Sequence, residues 1–332
     1  MTTYSMALDL ERASSSDTRE MLIREVQRGL LRRPRSLAPW MFYDARGSRI
    51  FEHITHLAEY YPTRTERHIL ASCCDSIIAA TCPDRSEAVR LVELGAGTAS
   101  KTTILLDAAA RLQSEVLYAP VDVSSDALDV ACETIASSLP CINISPIVAN
   151  YITHPPQLES FDGRTLGLYI GSSIGNFAPE EARTILHNLR SQLQAGDALL
   201  LGVDMVKDEP TLVAAYDDRD GVTAEFNLNM LHRLNRELDA DFDPARFRHR
   251  ALWNRGQSRI EMHLESIRDQ HVRIAVADLD IHLAKNESIH TENSYKFTDE
   301  SIRVLLRDGG FEVQQMWTDE REWYSVTLAR IR

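Results

Sequence analysis

The sequence has no apolar run of membrane-spanning length, so no helical membrane span is expected. It has no excess of positive charge either: 36 Lys and Arg stand against 49 Asp and Glu, a formal net charge of −13. That balance argues against general nucleic-acid binding and against docking on an anionic membrane, since both use basic surface. Cysteine is scarce. Cys73, Cys74, Cys82, Cys132 and Cys141 make an odd five without a Cys-x-x-Cys pair, which disfavours a disulfide framework and a zinc site. The histidines, among them His53, His56, His154, His263, His271, His282 and His290, form no His-Glu-x-x-His arrangement, and no metal is expected. Met1 to Arg19 lacks an apolar signal core, so a cytoplasmic location is expected. The 332 residues suffice for one large or two medium domains.

What is present centres on Leu91 to Thr102. An apolar run through Val89, Leu91, Val92 and Leu94 reads as a buried strand. It ends in Gly95 and Gly97 and opens into a helical pattern from Thr102 to Leu112. Glycines at a strand-to-helix turn permit positive φ and let a ligand approach the backbone. In open α/β sheets ligands bind at the carboxyl ends of strands. The stretch lacks the third glycine of the dinucleotide fingerprint and the Gly-Lys-Ser/Thr of a phosphate loop. With Glu93 two places before the first glycine, it resembles motif I of class I S-adenosylmethionine (SAM) methyltransferases.

Strand candidates at 89–94, 116–121, 143–149, 165–171 and 197–204 alternate with helix candidates at 101–113, 125–138 and 179–194, the rhythm of a parallel, doubly wound sheet. After a helix at 298–307 closed by Gly309-Gly310, strands at 311–317 and 323–330 are close enough to pair antiparallel, as at the end of the class I methyltransferase sheet. Two regions depart from the rhythm. The first has helices at 18–33, ended by Pro34, and up to about Leu57; Thr63 or Thr65 is expected to cap a further helix, 66–80. The second, from Gly202 to about Lys296, has helices at 209–215 and 222–239 and strands at 246–254, 257–266 and 271–281. The expectation is a methyltransferase domain of residues 64–204 and 297–332, with a discontinuous α+β substrate domain of residues 1–63 and 205–296.

Several residues stand where such a sheet places a nucleoside. Asp122, after the second strand, suits the two ribose hydroxyls. Asn150 and Tyr151 follow the third strand, where an amide can read the adenine amino group and an aromatic can pack on the ring. Lys101 opens the first helix of the alternating region and can meet the carboxylate of the methionine part. Gly171-Ser172-Ser173-Ile174-Gly175-Asn176-Phe177 ends the fourth strand, where methyltransferases face the transferable methyl group, and Asn176 supplies both a donor and an acceptor.

Four further stretches narrow the resemblance: Phe42-Tyr43-Asp44 with Gly47-Ser48, Glu59 to Glu66, Ala215-Tyr216-Asp217-Asp218 with Phe226-Asn227, and His290 to Phe297. With Glu93 to Gly97 and Gly171 to Phe177 they resemble the histidine N-alpha-methyltransferases of ergothioneine biosynthesis over roughly residues 20–330. The resemblance implies trimethylation of the α-amino group of L-histidine to hercynine. SAM is the implied donor, S-adenosyl-L-homocysteine the by-product, and L-histidine with its mono- and dimethyl forms the substrates; a monomer is expected. Carried over, Gly95, Lys101, Asp122, Asn150 and Tyr151 bind the cofactor. Asn150-Tyr151 departs from the Asp-Phe usual there. Asn176 and Tyr216 hold the substrate's carboxylate and amino group, and Tyr43 stands near the reacting nitrogen. Tyr60, Glu292 and Ser294 read the imidazole, and Gly171 and Met262 line the pocket. Choosing Tyr60 rather than Tyr61 is a matter of alignment, and Tyr295 stands where a smaller residue is usual.

Methyl transfer from a sulfonium is an in-line displacement, so positioning a neutral amine is the main task. An α-amino group titrates near 8, so no strong base is needed, though a proton must leave before each transfer. Tyr43 or a water can relay it. The faces of Tyr43 and Phe51 can tolerate the cationic product. Glu292 and Ser294 can serve the two ring nitrogens, which penalises analogues lacking them. Two alternatives stay open: an N-methyltransferase of another amino acid, such as a tryptophan derivative, and a non-catalytic SAM-binding protein.

Overall fold

The computed structural model describes residues 15–97, 99–152 and 154–331. Most of the Met1–Arg19 stretch, Thr98 of the glycine loop, and residues 1 and 332 at the ends of the two expected domains lie outside them. In chain order the elements are α1 (Ser15–Leu31), β1 (Arg35–Ser36), α2 (Ala45–His56), α3 (Tyr61–Thr81), β2 (Val89–Leu94), α4 (Thr102–Leu112), β3 (Val116–Asp122) and α5 (Ser125–Ser138). Then follow β4 (Asn143–Ile144), β5 (Ile147–Val148), β6 (Arg164–Tyr169), α6 (Pro179–Arg190), β7 (Ala198–Asp204), α7 (Glu209–Ala214) and α8 (Val222–Leu238). The chain ends with β8 (Phe247–Asn254), β9 (Arg259–Ser266), β10 (Gln270–Ile274), β11 (Leu279–Leu283), β12 (Ser288–Tyr295), α9 (Asp299–Asp308), β13 (Phe311–Thr318) and β14 (Tyr324–Ile331). Two compact units result, Met1–Tyr61 with Lys207–Tyr295 and Pro62–Val206 with Lys296–Arg332.

The unit containing Pro62–Val206 is built on one sheet of order β13-β14-β7-β6-β2-β3-β4, with β5 also beside β3. Strands β7, β6, β2, β3, β4 and β5 run parallel, whereas β14 is antiparallel to both β7 and β13. This is the class I methyltransferase sheet with its closing hairpin. All six residues of β2 are buried, as expected of a central parallel strand covered on both faces. The chain runs from β2 outward through β3 and β4, then returns to the other side of β2 as β6. The switch in direction therefore falls at the carboxyl ends of β2 and β6, the place where open α/β sheets bind ligands.

The other unit has a four-stranded sheet of order β1-β12-β9-β8, with β1 parallel to β12 and the other pairs antiparallel, and a separate β10–β11 hairpin. Leu22, Val26 and Leu30 of α1 and Phe226, Met230, Leu231 and Leu234 of α8 recur at helical spacing and are buried in its core. Each such side chain contributes about 1.5–3 kcal/mol on burial.

Four expectations about elements are corrected. Helix α3 starts at Tyr61, so Thr63 and Thr65 lie inside it and cap nothing; Pro62 fits the first turn, where its missing N–H is not needed. The strand expected at 143–149 is two short strands, interrupted at Pro146, which cannot donate to a ladder. The strand expected at 271–281 is the β10–β11 hairpin, turned at Ala275–Ala277 with Asp278 left-handed at φ 49°. Helix α6 stops at Arg190 rather than 194; the chain turns there, Gly196 adopts φ 95°, and the Asp197 carboxylate accepts the Gln194 N–H at 2.8 Å. Strand β12, which carries the His290–Tyr295 motif, was not expected as a strand.

No described helix is long and apolar enough to cross a membrane. All five cysteines are unpaired.

Candidate active site

Around the carboxyl ends of β2, β3, β5 and β6 the structure brings together Gly95, Lys101, Asp122, Asn150, Tyr151, Gly171 and Asn176. Gly95 and Gly97 adopt φ of 70° and 52°, which open the turn after β2. A Cβ on Gly95 would stand 2.9 Å from the Tyr151 hydroxyl, so the tyrosine lies directly against the loop. Glu93 faces inward, 3% exposed, and accepts the Thr102 hydroxyl at 2.7 Å and the Tyr118 hydroxyl. Burial pushes its carboxyl up to about 7, against the pull of those two donors. It thus fastens the start of α4 and β3 to β2 and holds the loop from behind.

Asp122 ends β3 and accepts the Ser124 N–H at 2.9 Å. Burial raises its carboxyl above the usual range, while the N–H groups of Ser124, Gly97 and Val123 oppose that rise. Asn150 is 7% exposed; its Oδ1 accepts the Ile152 N–H at 3.0 Å, which leaves Nδ2 buried without a partner. An unpaired amide donor inside a fold is costly and calls for an acceptor. Tyr151 meets Tyr169 edge to face with ring centroids 5.9 Å apart. Gly171, at φ 85°, and left-handed Ser172, at φ 59°, turn the chain into the short helix Ser173–Asn176.

These groups fit SAM. The bare glycine turn admits a ligand to the backbone, Asp122 matches a ribose diol, Lys101 a carboxylate, and the orphaned Asn150 amide a ring nitrogen.

In the other unit a second set assembles. Asp44 caps α2 by accepting the Gly47 N–H at 2.7 Å, and is held by Asn229 and Arg236. A Cβ on Gly47 would lie 1.8 Å from the Phe42 carbonyl oxygen, so glycine is what lets this turn close. The turn presents Tyr43, 45% exposed, edge-on to Phe51 and Phe226 with centroids 5.9 and 5.7 Å away. Phe51 meets Tyr60 at 6.3 Å, and Tyr60 meets Tyr216 at 6.2 Å. The neighbouring Tyr61 behaves differently: it is buried, its hydroxyl accepts from Lys207 at 2.6 Å, and that ammonium stands 4.3 Å from its ring centre.

The Tyr216 and Ser294 hydroxyls are 2.8 Å apart and hydrogen bonded. Glu292 pairs in register with Met262, and Ser294 with Ile260, and all four are buried. The register shift between His290 and Glu292 sets which face each side chain takes. On the opposite alternation Tyr295 pairs with Arg259, which donates to its hydroxyl at 2.6 Å and stacks 5.3 Å from its ring centre. That accounts for the large residue there.

Three residues lacked an assigned role in the sequence. Phe226 is the ring on which Tyr43, Phe42 and Phe51 converge. His249 donates from Nε2 to the Tyr216 carbonyl at 2.7 Å and accepts from Asn227 at 2.8 Å on Nδ1. Burial lowers its pKa, which favours the neutral ring needed for that pair of bonds. Glu66 joins Lys101 and Gly171. Phe226, Asn227 and Glu66 were visible only as members of longer motifs. Among the described residues no group of three or more His, Cys, Asp or Glu side chains is placed to hold a metal ion.

Residues 22–331 match the model of the family described as histidine-specific methyltransferase, SAM-dependent. A histidine N-alpha-methyltransferase of Mycolicibacterium smegmatis is 43% identical over 98% of this chain and 99% of its own. One of Mycobacterium tuberculosis is 40% identical over 93% and 94%. A 4-dimethylallyltryptophan N-methyltransferase of Claviceps purpurea is 24% identical over 92% and 94%. With a family match over residues 22–331 and relatives 40% and 43% identical over more than nine-tenths of both chains, the chain belongs to the histidine-specific, SAM-dependent methyltransferases.

Proposed function

We propose that this enzyme methylates the α-amino nitrogen of L-histidine three times, giving hercynine. The observation that supports this reading best is the gathering of Tyr60, Tyr216, Ser294, Glu292 and Met262 in one unit, with the Tyr216 and Ser294 hydroxyls paired at 2.8 Å. A buried carboxylate beside hydroxyl groups suits a ring carrying one N–H and one acceptor nitrogen, and an indole offers only the N–H. A site built for both nitrogens rejects a side chain that lacks one.

Gly95, Lys101, Asp122, Asn150 and Tyr151 hold SAM, which when bound supplies a methyl carbon on a sulfonium that departs as a neutral thioether. Asn176 and Tyr216 orient the amino and carboxylate groups of the substrate, and Gly171 gives the reacting end close backbone approach. Glu292 accepts the imidazole N–H, Ser294 serves the other ring nitrogen, Met262 packs beside Glu292, and Tyr60 covers the ring. The neutral amine forms the new N–C bond with its lone pair and must lose a proton before the next transfer. Tyr43 takes or relays that proton, and the rings of Tyr43, Phe51 and Phe226 tolerate the growing cationic head by cation–π attraction.

Incubation with SAM and each of the twenty amino acids, read by mass spectrometry, tests the reading. Gain of one, two and three methyl groups on histidine alone is the expected result. Gain on tryptophan instead, or on no amino acid, overturns it.

A further inference from the structure

Glu66 takes no part in the chemistry proposed above, yet its side chain is fully buried and both of its oxygens are hydrogen bonded. Oε1 accepts the Tyr324 hydroxyl at 2.7 Å and the Gly171 N–H at 2.8 Å. Oε2 accepts that same N–H at 3.0 Å and the Lys101 ammonium. Every one of these contacts comes from a donor, so both oxygens act as acceptors.

The surroundings are shaped for this carboxylate. A Cβ on Gly202 would fall 2.0 Å from Oε1, and one on Gly171 would fall 3.1 Å from the Lys101 nitrogen. A buried ion pair is a poor source of stability, because desolvation offsets most of its attraction. What it supplies is geometry. The Lys101 side chain remains 19% exposed although its partner has no exposure, so donors not spent on Glu66 still reach outward.

We propose that Glu66 is a positioning residue for the cofactor. It fixes the Lys101 ammonium and the Gly171 amide relative to one another, so that the carboxylate of the methionine part and the methyl-bearing sulfur are placed together. The inference rests on the reading of Lys101 as the partner of that carboxylate.

Calorimetry with two probes tests both points separately. S-adenosylhomocysteine carries the carboxylate, and 5′-methylthioadenosine lacks it. Glu66→Gln must turn an N–H toward a donor, and is expected to weaken S-adenosylhomocysteine about tenfold, the size of a lost charge-assisted contact. Methylthioadenosine should stay within about twofold. In a Lys101→Met background the same change should add less than about twofold, because its target is already gone. Glu66→Asp, which keeps the charge but withdraws it by one methylene, should show the same selectivity and serves if the amide variant does not fold.

Equal weakening of both probes, or full additivity with Lys101→Met, would mean that Glu66 is merely structural, and overturns the proposal. If Lys101→Met weakens S-adenosylhomocysteine and neither Glu66 variant does, the inference fails and the Lys101 reading stands. If Lys101→Met changes nothing, both fall.

Discussion

Removing the Glu292 carboxylate should separate substrate recognition from cofactor binding. Glu292 is 8% exposed on β12, opposite Met262, and belongs to the unit that carries Tyr60, Tyr216 and Ser294. A hydrogen bond from an imidazole N–H to a buried carboxylate contributes about 1.5–3 kcal/mol, which corresponds to roughly 10- to 150-fold in affinity. Glu292→Ala should therefore raise the Kd for histidine by that factor. Glu292→Gln, which keeps an acceptor but not the charge, should fall toward the lower end. The residues proposed to hold SAM belong to the other unit, so the Kd for S-adenosylhomocysteine should stay within about twofold in both variants. Isothermal titration with each ligand, and of histidine in the presence of saturating S-adenosylhomocysteine, gives these numbers directly. Equal losses for both ligands would refute the reasoning, since a recognition role predicts a selective loss. So would a histidine Kd that does not change at all. Phenylalanine provides an internal control: its ring carries no N–H, so its weak binding should be indifferent to Glu292→Ala.

Two further predictions concern stability. Gly202→Ala places a methyl 2.0 Å from a carboxylate oxygen with no exposure, and should cost about 1–3 kcal/mol, a drop of several degrees in a calorimetric melt; an unchanged Tm would show that Glu66 moves aside freely. His290 lies against His263, with the rings tilted by 59° and their centroids 5.1 Å apart, and is pushed down to about 4 from an ordinary 6.5, mainly by burial. Its folded pKa lies below the unfolded value, so its contribution is complete above about 6.5 and is lost as pH falls through about 4. NMR titration of the His290 ring should give a midpoint near 4, and a midpoint near 6.5 would contradict its buried placement.

The parallel sheet was legible because its signals are local. Val89, Leu91, Val92 and Leu94 form an apolar run that stops at two glycines, and both edges of β2 can be read from those residues alone. Asp122 and Gly171 follow from the same logic, since each stands just past a strand. The insert was harder to read. Gln270–Leu283 alternates so evenly that one long strand and a hairpin look alike, and the left-handed Asp278 that divides them carries no strong turn signal. Strand β12 was missed because Ser288–Tyr295 is mostly polar, and its strand character comes from pairing with β9. Tyr60 and Tyr61 are indistinguishable as neighbours in a chain. The structure separates them by giving Tyr61 to Lys207 and Tyr60 to Phe51 and Tyr216.

Sequence alone determined the doubly wound sheet, the glycine turn, the acid after the second strand, the closing hairpin and the family, because each depends on residues within a few positions of one another or on an ordered set of motifs. Tertiary structure decided what those residues touch. That Glu66 meets Lys101, Gly171 and Tyr324, that Tyr216 meets Ser294, and that Tyr295 lies under Arg259 are contacts between positions 35 to 258 residues apart. No local pattern encodes such pairs. They exist only once buried strands and helices have fixed the register that brings donor to acceptor.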